Sequence, residues 1–212
     1  MKLSAGAAMI MMLVLSMMAT PSQAGFFGKG ITKCQTISKP GRYTLSRNLN
    51  QVAVDCLVIA ADFVTVDLNG FAIMGDFSGD CITDGGSSRI GTVIINGTVA
   101  NCFDGIDFNN TDDCKIEEIR AINNNEYGIR VDDGCIIKNN VANDNDNDGI
   151  NAESDNTIVQ NVVNDNDDDG ICVNADSTVI GNSANGNFNN DIDCGSDTIA
   201  EHNAAGSVVN CN

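Results

Sequence analysis

The sequence predicts an all-β solenoid, a stack of similar coils, and three observations support this prediction. A Gly-Ile step recurs along the chain, degenerate at its last copy, and its isoleucines lie 23, 21, 21 and 21 residues apart. Each step begins a short apolar run, and turns rich in Asn and Asp separate the runs. The recurring isoleucines are Ile106, Ile129, Ile150, Ile171 and Ile192. A period just above twenty residues is typical of repeat architectures, in which one coil buries its apolar side against its neighbours.

The N-terminal residues predict an export signal. Lys2 precedes an apolar stretch at residues 7–18, and the small-residue pattern Ser22-Gln23-Ala24 follows. We therefore expect a cleaved signal peptide at residues 1–24, which indicates a secreted or periplasmic protein. The apolar stretch is shorter than a membrane-spanning helix needs and no later stretch approaches that length, so no membrane span is expected.

The remainder of the chain is expected to form one domain. Residues 25–50 contain several glycines, a Pro40-Gly41 turn and a short strand, and we expect them to be an N-terminal cap with the first strand. A stack of coils needs such a cap because its end otherwise exposes apolar core and unpaired strand edges. Residues 51–212 are expected to be the solenoid, with about seven or eight coils at roughly 21–23 residues each.

Alternating apolar residues place the strands within each coil. In the early coils these residues are Leu57, Ile59, Val64, Val66, Leu68 and Ile73. In the later coils the isoleucine of the Gly-Ile step is expected to face the core together with the residue two positions on. Those second residues are Phe108, Val131, Ala152, Val173 and Cys194, and a second strand follows near Ile116, Ile137, Ile158 and Val179. A 21-residue recurrence also predicts a hydrogen-bonded column of Asn140, Asn161, Asn182 and Asn203.

Three features together carry a resemblance to a known family. Residues 41–49, residues 64–70 and the Gly-Ile coils resemble the secreted right-handed parallel β-helix proteins, the pectate-lyase-like superfold, over residues 41–205. The resemblance implies a single right-handed parallel β-helix. It implies no one activity, since the family includes lyases, hydrolases, epimerases and proteins with no known reaction. Its active enzymes use a groove over the first sheet, with carboxylates, with or without calcium, and often an Arg or Lys base.

The charge balance excludes some partners. The chain has 29 acidic and 11 basic residues and a net charge of −18. Such acidity argues against nucleic acid and anionic membrane surfaces, and it favours either bound cations or a well-solvated surface.

Two successive turns indicate a calcium site. Residues 144–149 and 165–170 each place carboxylates at alternate positions and a glycine at the sixth, as in a calcium loop. The flanking segments have strand periodicity, which argues against an EF-hand. The 21-residue register stacks the two turns, so that a divalent cation would relieve repulsion between their acids. The predicted ligands are Asp144, Asp146, Asp148, Asp165, Asp167 and Asp169. The alternative is that Asp and Asn are present simply as turn residues.

One group on the first sheet suggests catalysis. Arg130 is expected to point outward amid Asp107, Asp132 and Glu153, where it could abstract a proton from an acidic sugar. The alternative is an ordinary ion pair. His202 is the only histidine, which excludes multi-histidine metal sites, and we expect it on the surface.

Nine cysteines in an exported chain are candidates for disulfides. Their spacing matches the repeat, and equivalent positions of adjacent coils are close enough to be bridged. The expected pairs are Cys34–Cys56 and Cys114–Cys135, with Cys194–Cys211 as a third candidate, while Cys81 and Cys102 share the 21-residue spacing. Buried, reduced cysteines are the alternative. Cys172 is expected to point outward and could be the unpaired thiol.

These observations support a binding or structural role more than an enzymatic one. The leading hypothesis is a secreted module that binds a polysaccharide, a cell-surface glycan or another surface ligand, or that serves a structural role, with calcium on the Asp-rich turns. The chain has no long insertions to form a cleft, no Trp and two Tyr. A calcium-dependent polysaccharide lyase or an epimerase acting on acidic sugars is the alternative, and end-to-end assembly is a third. The sequence leaves the oligomeric state open.

Overall fold

The computed structural model describes residues 28–50 and 54–211, and within these ranges the chain forms β-strands and no helix. In chain order the strands are β1 (Lys29–Ile31), β2 (Gln35–Ile37), β3 (Gly41–Leu45), β4 (Leu49–Asn50), β5 (Leu57–Ile59), β6 (Val64–Asp67), β7 (Ala72–Met74), β8 (Ile82–Thr83), β9 (Arg89–Ile90), β10 (Val93–Ala100), β11 (Ile106–Phe108), β12 (Thr111–Asp112), β13 (Lys115–Ile122), β14 (Ile129–Val131), β15 (Ile136–Lys138), β16 (Val141–Asn143), β17 (Ile150–Ser154), β18 (Thr157–Val159), β19 (Val162–Asn164), β20 (Ile171–Ala175), β21 (Thr178–Ile180), β22 (Ser183–Asn185), β23 (Ile192–Ser196), β24 (Ile199–Glu201), β25 (Ala204–Ala205) and β26 (Val208–Val209).

Each coil contributes strands to three faces of a parallel β-solenoid. The first face is the nine-stranded sheet β2-β5-β8-β11-β14-β17-β20-β23-β26. The second face is the path β1-β3-β6-β10-β13-β15-β18-β21-β24, and the third contains β4, β7, β16, β19, β22 and β25. The long strands β10 and β13 cross the corner between the second and third faces and join them into one sheet. β9 and β12 form a separate pair. The solenoid has about eight turns, which confirms the predicted fold class.

Residues 28–50 already follow the plan of the later coils. β2, β3 and β4 pair with β5, β6 and β7 in the three faces, and β1 adds one strand beyond β3. The boundary of the predicted cap at residue 50 stays a prediction, and the predicted signal peptide at residues 1–24 lies outside the described residues. No helix within those residues has the length and apolar character to cross a bilayer.

The core consists of stacked columns of like residues. The five isoleucines of the recurring step are paired one above another along the first face, and each is fully buried. The residues two positions on are also buried, as predicted. Because every coil places its apolar side chains at the same points, each core layer is covered by the layers above and below it.

Two asparagine ladders satisfy the buried backbone at the corners. In the predicted ladder the Nδ2 of Asn140 donates to Asn161 Oδ1 at 3.0 Å, and Asn161 repeats the contact with Asn182. A second ladder, which the sequence reasoning missed, consists of Asn124, Asn145, Asn166 and Asn187. In both ladders the Oδ1 also accepts a backbone N–H of the preceding coil, so that the bends leave few buried polar groups without partners.

The corners also explain the abundance of Asn and Asp. At the corner before the first face, one residue per coil has a positive φ, namely Asn101 (55°), Asn123 (55°), Asp144 (55°), Asp165 (56°) and Gly186 (75°). Asn and Asp tolerate this left-handed conformation better than most other residues with a side chain. The backbone bend therefore explains the presence of Asp144 and Asp165, two of the residues that the sequence predicts as calcium ligands.

Disulfides join adjacent coils at four places. All three predicted pairs are present, Cys34–Cys56, Cys114–Cys135 and Cys194–Cys211, and Cys81–Cys102 is a fourth. Cys172 is the free cysteine within the described ranges. Four disulfides are consistent with folding in an oxidising, extracellular compartment.

Candidate functional site

Two columns of polar residues run side by side along the first face, one on the outward side of its strands and one in the turns that precede the strands. Strand pairing aligns Thr83, Asp107, Arg130, Asn151, Cys172 and Asp193, which we call the outer column. In the turn just before each strand lie Asp80, Asp104, Tyr127, Asp148, Asp169 and Asn190, which we call the turn column. The second column is held by hydrogen bonds between coils. Asp104 Oδ1 accepts the backbone N–H of Tyr127 at 2.9 Å, and Asp148 Oδ1 accepts that of Asp169 at 3.0 Å.

Burial controls the charge of the turn column. Asp104, Asp148 and Asp169 have relative exposures of 1%, 5% and 6%. Loss of hydration disfavours an ionised carboxylate, and it raises the pKa of Asp104 to about 7 and the pKa values of Asp80 and Asp148 to about 6 each. The pKa of Asp169 is also raised, first by burial. The backbone N–H groups that these carboxylates accept act in the opposite direction and favour the charged form.

The N-terminal part of the two columns forms a cluster that contains its own cation. Carboxylate oxygens of Asp80, Asp104 and Asp107 lie within 4.8 Å of one another, and we call these residues the first cluster. Arg130 donates from Nε to Asp107 Oδ1 at 2.9 Å, and its guanidinium lies 3.6 Å from Asp104 Oδ2. The guanidinium is also 4.9 Å from the centroid of the Tyr127 ring. Burial lowers the pKa of Arg130, but the contacts with Asp107 outweigh it and the net shift is upward.

A second cluster lies two coils further along and has no basic partner. Carboxylate oxygens of Asp148, Asp168 and Asp169 also lie within 4.8 Å of one another, and these residues are the second cluster. Asp148 accepts a hydrogen bond from Asn151 Nδ2 at 2.7 Å. Among the ion pairs of the described ranges, none involves this cluster. Hard carboxylate oxygens are the ligands that calcium and magnesium prefer, so the donor set fits such a cation.

Comparison with known proteins agrees with this architecture. The family model "Right handed beta helix region" matches residues 58–211. The chain belongs to this right-handed β-helix family. No curated protein gives a match. The crystal structure of the Dettilon tailspike protein, gp208, is similar to this β-helix, with a TM-score of 0.51 and 14% sequence identity over 82% of this chain. The matched region spans 54% of that chain. At this identity the likeness shows the fold alone.

The β-helix brings together part of the predicted catalytic group. Arg130 and Asp107 are in direct contact, as described above. Asp132 lies instead beside Asp112, Asp133 and Glu153, and its pKa is raised by burial first and then by these acids. Glu153 is exposed and accepts a hydrogen bond from Asn174. The cation of the group is therefore held by Asp104 and Asp107, and a catalytic role for any of the four residues stays a prediction.

The six predicted calcium ligands separate into three environments. Asp144 and Asp165 are exposed at the corner, where they supply the positive φ. Asp146 and Asp167 are also exposed, one position beyond the asparagines of the second ladder. Asp148 and Asp169 are buried and belong to the second cluster. The stacking of the two turns is present, but Asp148 and Asp169 converge with Asp168, which was not among the predicted ligands.

The other two singled-out residues are unremarkable as reactive groups. Cys172 faces outward in the β-helix as predicted, and burial, followed by the charges of Asp148 and Asp169, raises its pKa to about 12. A thiol with this pKa stays protonated at neutral pH and is a poor nucleophile. His202 is exposed and lies 3.8 Å from Glu201.

Sequence reasoning missed Asp80, Asp104, Asp168 and Tyr127 as members of the site. Asp104 and Tyr127 each precede a Gly-Ile step, so the repeat marks their positions, but it does not show that the turn column is buried. A cavity lined by Arg42, Asp67 and Phe71 lies near the N-terminal end, and it contains none of the carboxylates of the two clusters.

Proposed function

We propose that this protein is an extracellular glycan-binding β-helix that holds a polar saccharide along the outer column, with a divalent cation at the second cluster. The observation that supports this best is the placement of two carboxylate clusters on one face, before and after the guanidinium of Arg130 along the solenoid. From Asp107 to Asp193 the outer column covers four strand steps, or ~19 Å at ~4.8 Å per strand. This length suits an extended chain better than a small metabolite.

The chemistry of the face fits sugar hydroxyls. Asp107 accepts and Arg130 donates hydrogen bonds in fixed directions, because the two side chains are held by their contact between coils. The Tyr127 ring beside Arg130 supplies an apolar surface. A preorganised polar surface loses little conformational entropy on binding.

The negative charge of the first face indicates which glycans it can bind. Outward acids outnumber Arg130 on this face, so neutral saccharides are expected to bind without help, whereas uronate chains are repelled unless a cation bridges them. When bound, a calcium ion would supply positive charge to the second cluster, with Asp148, Asp168 and Asp169 as its protein ligands. Of the six ligands predicted from the sequence, this proposal keeps the two buried acids, Asp148 and Asp169, and leaves out the four exposed acids of the turns.

Calorimetric titration with a panel of neutral and uronate polysaccharides, with and without calcium, tests the proposal. We expect binding to neutral chains in both conditions and binding to uronates only with calcium. Arg130→Ala should weaken binding by at least about tenfold, which corresponds to one lost charged hydrogen bond. The matched control is Arg42→Ala, which removes the Arg42–Asp67 ion pair on another face and also tests the cavity that this pair lines. Absence of binding across the panel would contradict the proposal.

A second candidate, a sugar-cleaving or epimerising enzyme, is favoured by one observation. Asp104, with a pKa of about 7, is a carboxylic acid that keeps its proton near neutral pH and lies 3.6 Å from Arg130. A carboxyl group with this pKa suits general acid catalysis, and at 1% exposure Asp104 would reach a substrate only if the turn that covers it moved. Incubation of the same panel followed by assays for reducing ends and for ultraviolet-absorbing unsaturated ends distinguishes the two functions. Turnover that disappears in Asp104→Asn would replace the binding role with an enzymatic one.

A further inference from the structure

The second face differs from the first face in its charge. Strand register aligns two outward columns of side chains on it. One column contains Arg42, Thr65, Val93, Lys115, Ile136, Thr157, Thr178 and Ile199, and the other contains Thr44, Asp67, Ile95, Glu117, Lys138, Val159, Ile180 and Glu201. Three of these side chains are basic and three are acidic, so the face is neutral on a chain of net charge −18. Two copies of the chain would therefore repel each other less through this face than through the first face.

The last four strands of the second face present an uncharged surface of four aliphatic side chains and two threonines. The aliphatic patch consists of Ile136, Thr157, Val159, Thr178, Ile180 and Ile199, all from β15, β18, β21 and β24. Ile136 and Ile199 at its two ends are 43% and 48% exposed. No charged residue interrupts the patch, and Lys138 and Glu201 lie at opposite corners of it. Exposed apolar patches bordered by charges are typical of interaction surfaces.

We propose that the aliphatic patch is the contact surface of a two-fold homodimer, in which two solenoids pack face to face with their long axes antiparallel. A two-fold axis parallel to the strands and midway between β18 and β21 exchanges β15 with β24 and β18 with β21. It sets Ile136 opposite the partner's Ile199, and Val159 opposite the partner's Ile180. The same operation sets Lys138 opposite the partner's Glu201 and repeats the pair at the other end. An isologous contact requires such self-complementarity.

The two corner charges select this arrangement over its alternative. A two-fold axis parallel to the solenoid would place Lys138 opposite the partner's Ile136 and Glu201 opposite the partner's Ile199, which buries two charges against aliphatic side chains. Within one chain Lys138 Nζ lies 2.8 Å from Glu117 Oε1, and an ammonium group has further donors for a second carboxylate. Glu201 is 59% exposed and lies 3.8 Å from His202, so its carboxylate is accessible.

The small area of the aliphatic patch limits the expected affinity of the dimer. Four strands cover ~14 Å along the solenoid at ~4.8 Å per step, so each partner buries less than the ~800 Å² of a standard interface. We expect a weak dimer that forms at high protein concentration.

Sedimentation velocity over a concentration series from the micromolar to the millimolar range tests the proposal. The wild-type protein should shift towards a dimer as its concentration rises. Lys138→Glu and Glu201→Lys should each weaken self-association by roughly tenfold, because like charges then face each other at both corners. An equimolar mixture of these two variants should associate again, since the mixed dimer re-forms both opposite-charge pairs.

Two further variants separate a specific contact from a general effect. Ile180→Lys, at the centre of the patch, should abolish the dimer. Val162→Lys, a matched outward aliphatic residue that is 38% exposed on the third face, should leave it unchanged. Circular dichroism and melting temperature establish that each variant is folded. A wild-type protein that is monomeric throughout the series, or a mixture that associates no better than its components, would overturn the proposal.

Discussion

The two carboxylate clusters of the first face are built on equivalent turns, and they differ in the origin of the third carboxylate and in the presence of a basic neighbour. Both combine acids of the turn column with a third carboxylate, and burial is the main cause of the raised pKa values of Asp104 in the first and Asp148 in the second. The first cluster has Arg130 beside it in the outer column, whereas at the second cluster that column presents Asn151 and Cys172. The repeat thus determines where acids are buried, and the outer column determines whether a cation of the chain itself balances them.

The largest expected effect is a dependence of stability on pH, because both clusters contain buried carboxylates with raised pKa values. In the native state the pKa of Asp104 is about 7, against 3.8 for an ordinary Asp, so the native state binds more protons than the unfolded state between these two pH values. The free energy of unfolding should therefore fall as pH rises from about 4 to about 7. At ~1.4 kcal/mol per pKa unit, Asp104 alone corresponds to about 4 kcal/mol.

Urea unfolding at pH 4.5 and pH 8 measures this difference. Asp80 and Asp148, each with a pKa of about 6, should contribute in the same direction. Asp104→Asn keeps an acceptor for the N–H of Tyr127 and removes the titration, so it should flatten the pH dependence. A wild-type protein more stable at pH 8 than at pH 4.5 would show that burial does not dominate these carboxylates.

The next largest effect is the loss of stability on removal of Arg130, the basic residue that only the first cluster has beside it. Arg130→Ala leaves Asp104 and Asp107 without their cation, and we expect it to lower the free energy of unfolding at pH 8 by about 3 kcal/mol. This is the low end of the range for a buried pair, because the Arg130 side chain is 27% exposed. Arg42→Ala removes a more exposed pair with Asp67 and should cost less than about 1 kcal/mol. Urea unfolding measures both losses. Equal losses in the two variants would show that Arg130 stabilises the first cluster no more than an exposed ion pair does.

Calcium should stabilise the protein through the second cluster. At a calcium concentration 100 times the dissociation constant, binding to the native state adds about 2.7 kcal/mol, which raises the melting temperature. Asp148→Asn should abolish this rise, whereas Asp80→Asn should preserve it, because Arg130 already balances the first cluster. In Arg130→Ala the first cluster loses that balance, and we expect a second calcium-dependent increment. If the calcium-induced rise in melting temperature were kept in Asp148→Asn and lost in Asp80→Asn, calcium would bind at the first cluster and not at the second.

The fold was predictable because periodicity determines it. The spacing of Ile106, Ile129 and Ile150 specifies the coil length, and alternation around each isoleucine identifies the core side of the strand. The site was predictable in part. Arg130 and Asp107 occupy equivalent positions of adjacent coils, so their contact follows from register. Asp104 reaches the same guanidinium from the preceding turn, and turn geometry does not follow from periodicity.

The Asp-rich turns were harder to interpret because one pattern serves three purposes. In residues 144–149 the corner requires a left-handed residue at Asp144, the second ladder requires Asn145, and the second cluster uses Asp148. Alternating acids in the sequence therefore do not imply neighbouring ligands in space, since Asp144 and Asp146 are exposed whereas Asp148 is buried.

The smallest expected effect separates the exposed acids of these turns from the buried ones. Replacing Asp146 and Asp167 together by Asn should change the free energy of unfolding by less than about 0.5 kcal/mol, because both are exposed and Asn suits the same turns. The calcium-induced rise in melting temperature should also be kept. The double variant Asp148→Asn with Asp169→Asn has the same change in charge and serves as the matched control, and it should lose the rise. If the exposed pair abolished calcium stabilisation as fully as the buried pair, the cation would belong on the outside of the turns, and the likeness of the two clusters would have no bearing on where it binds.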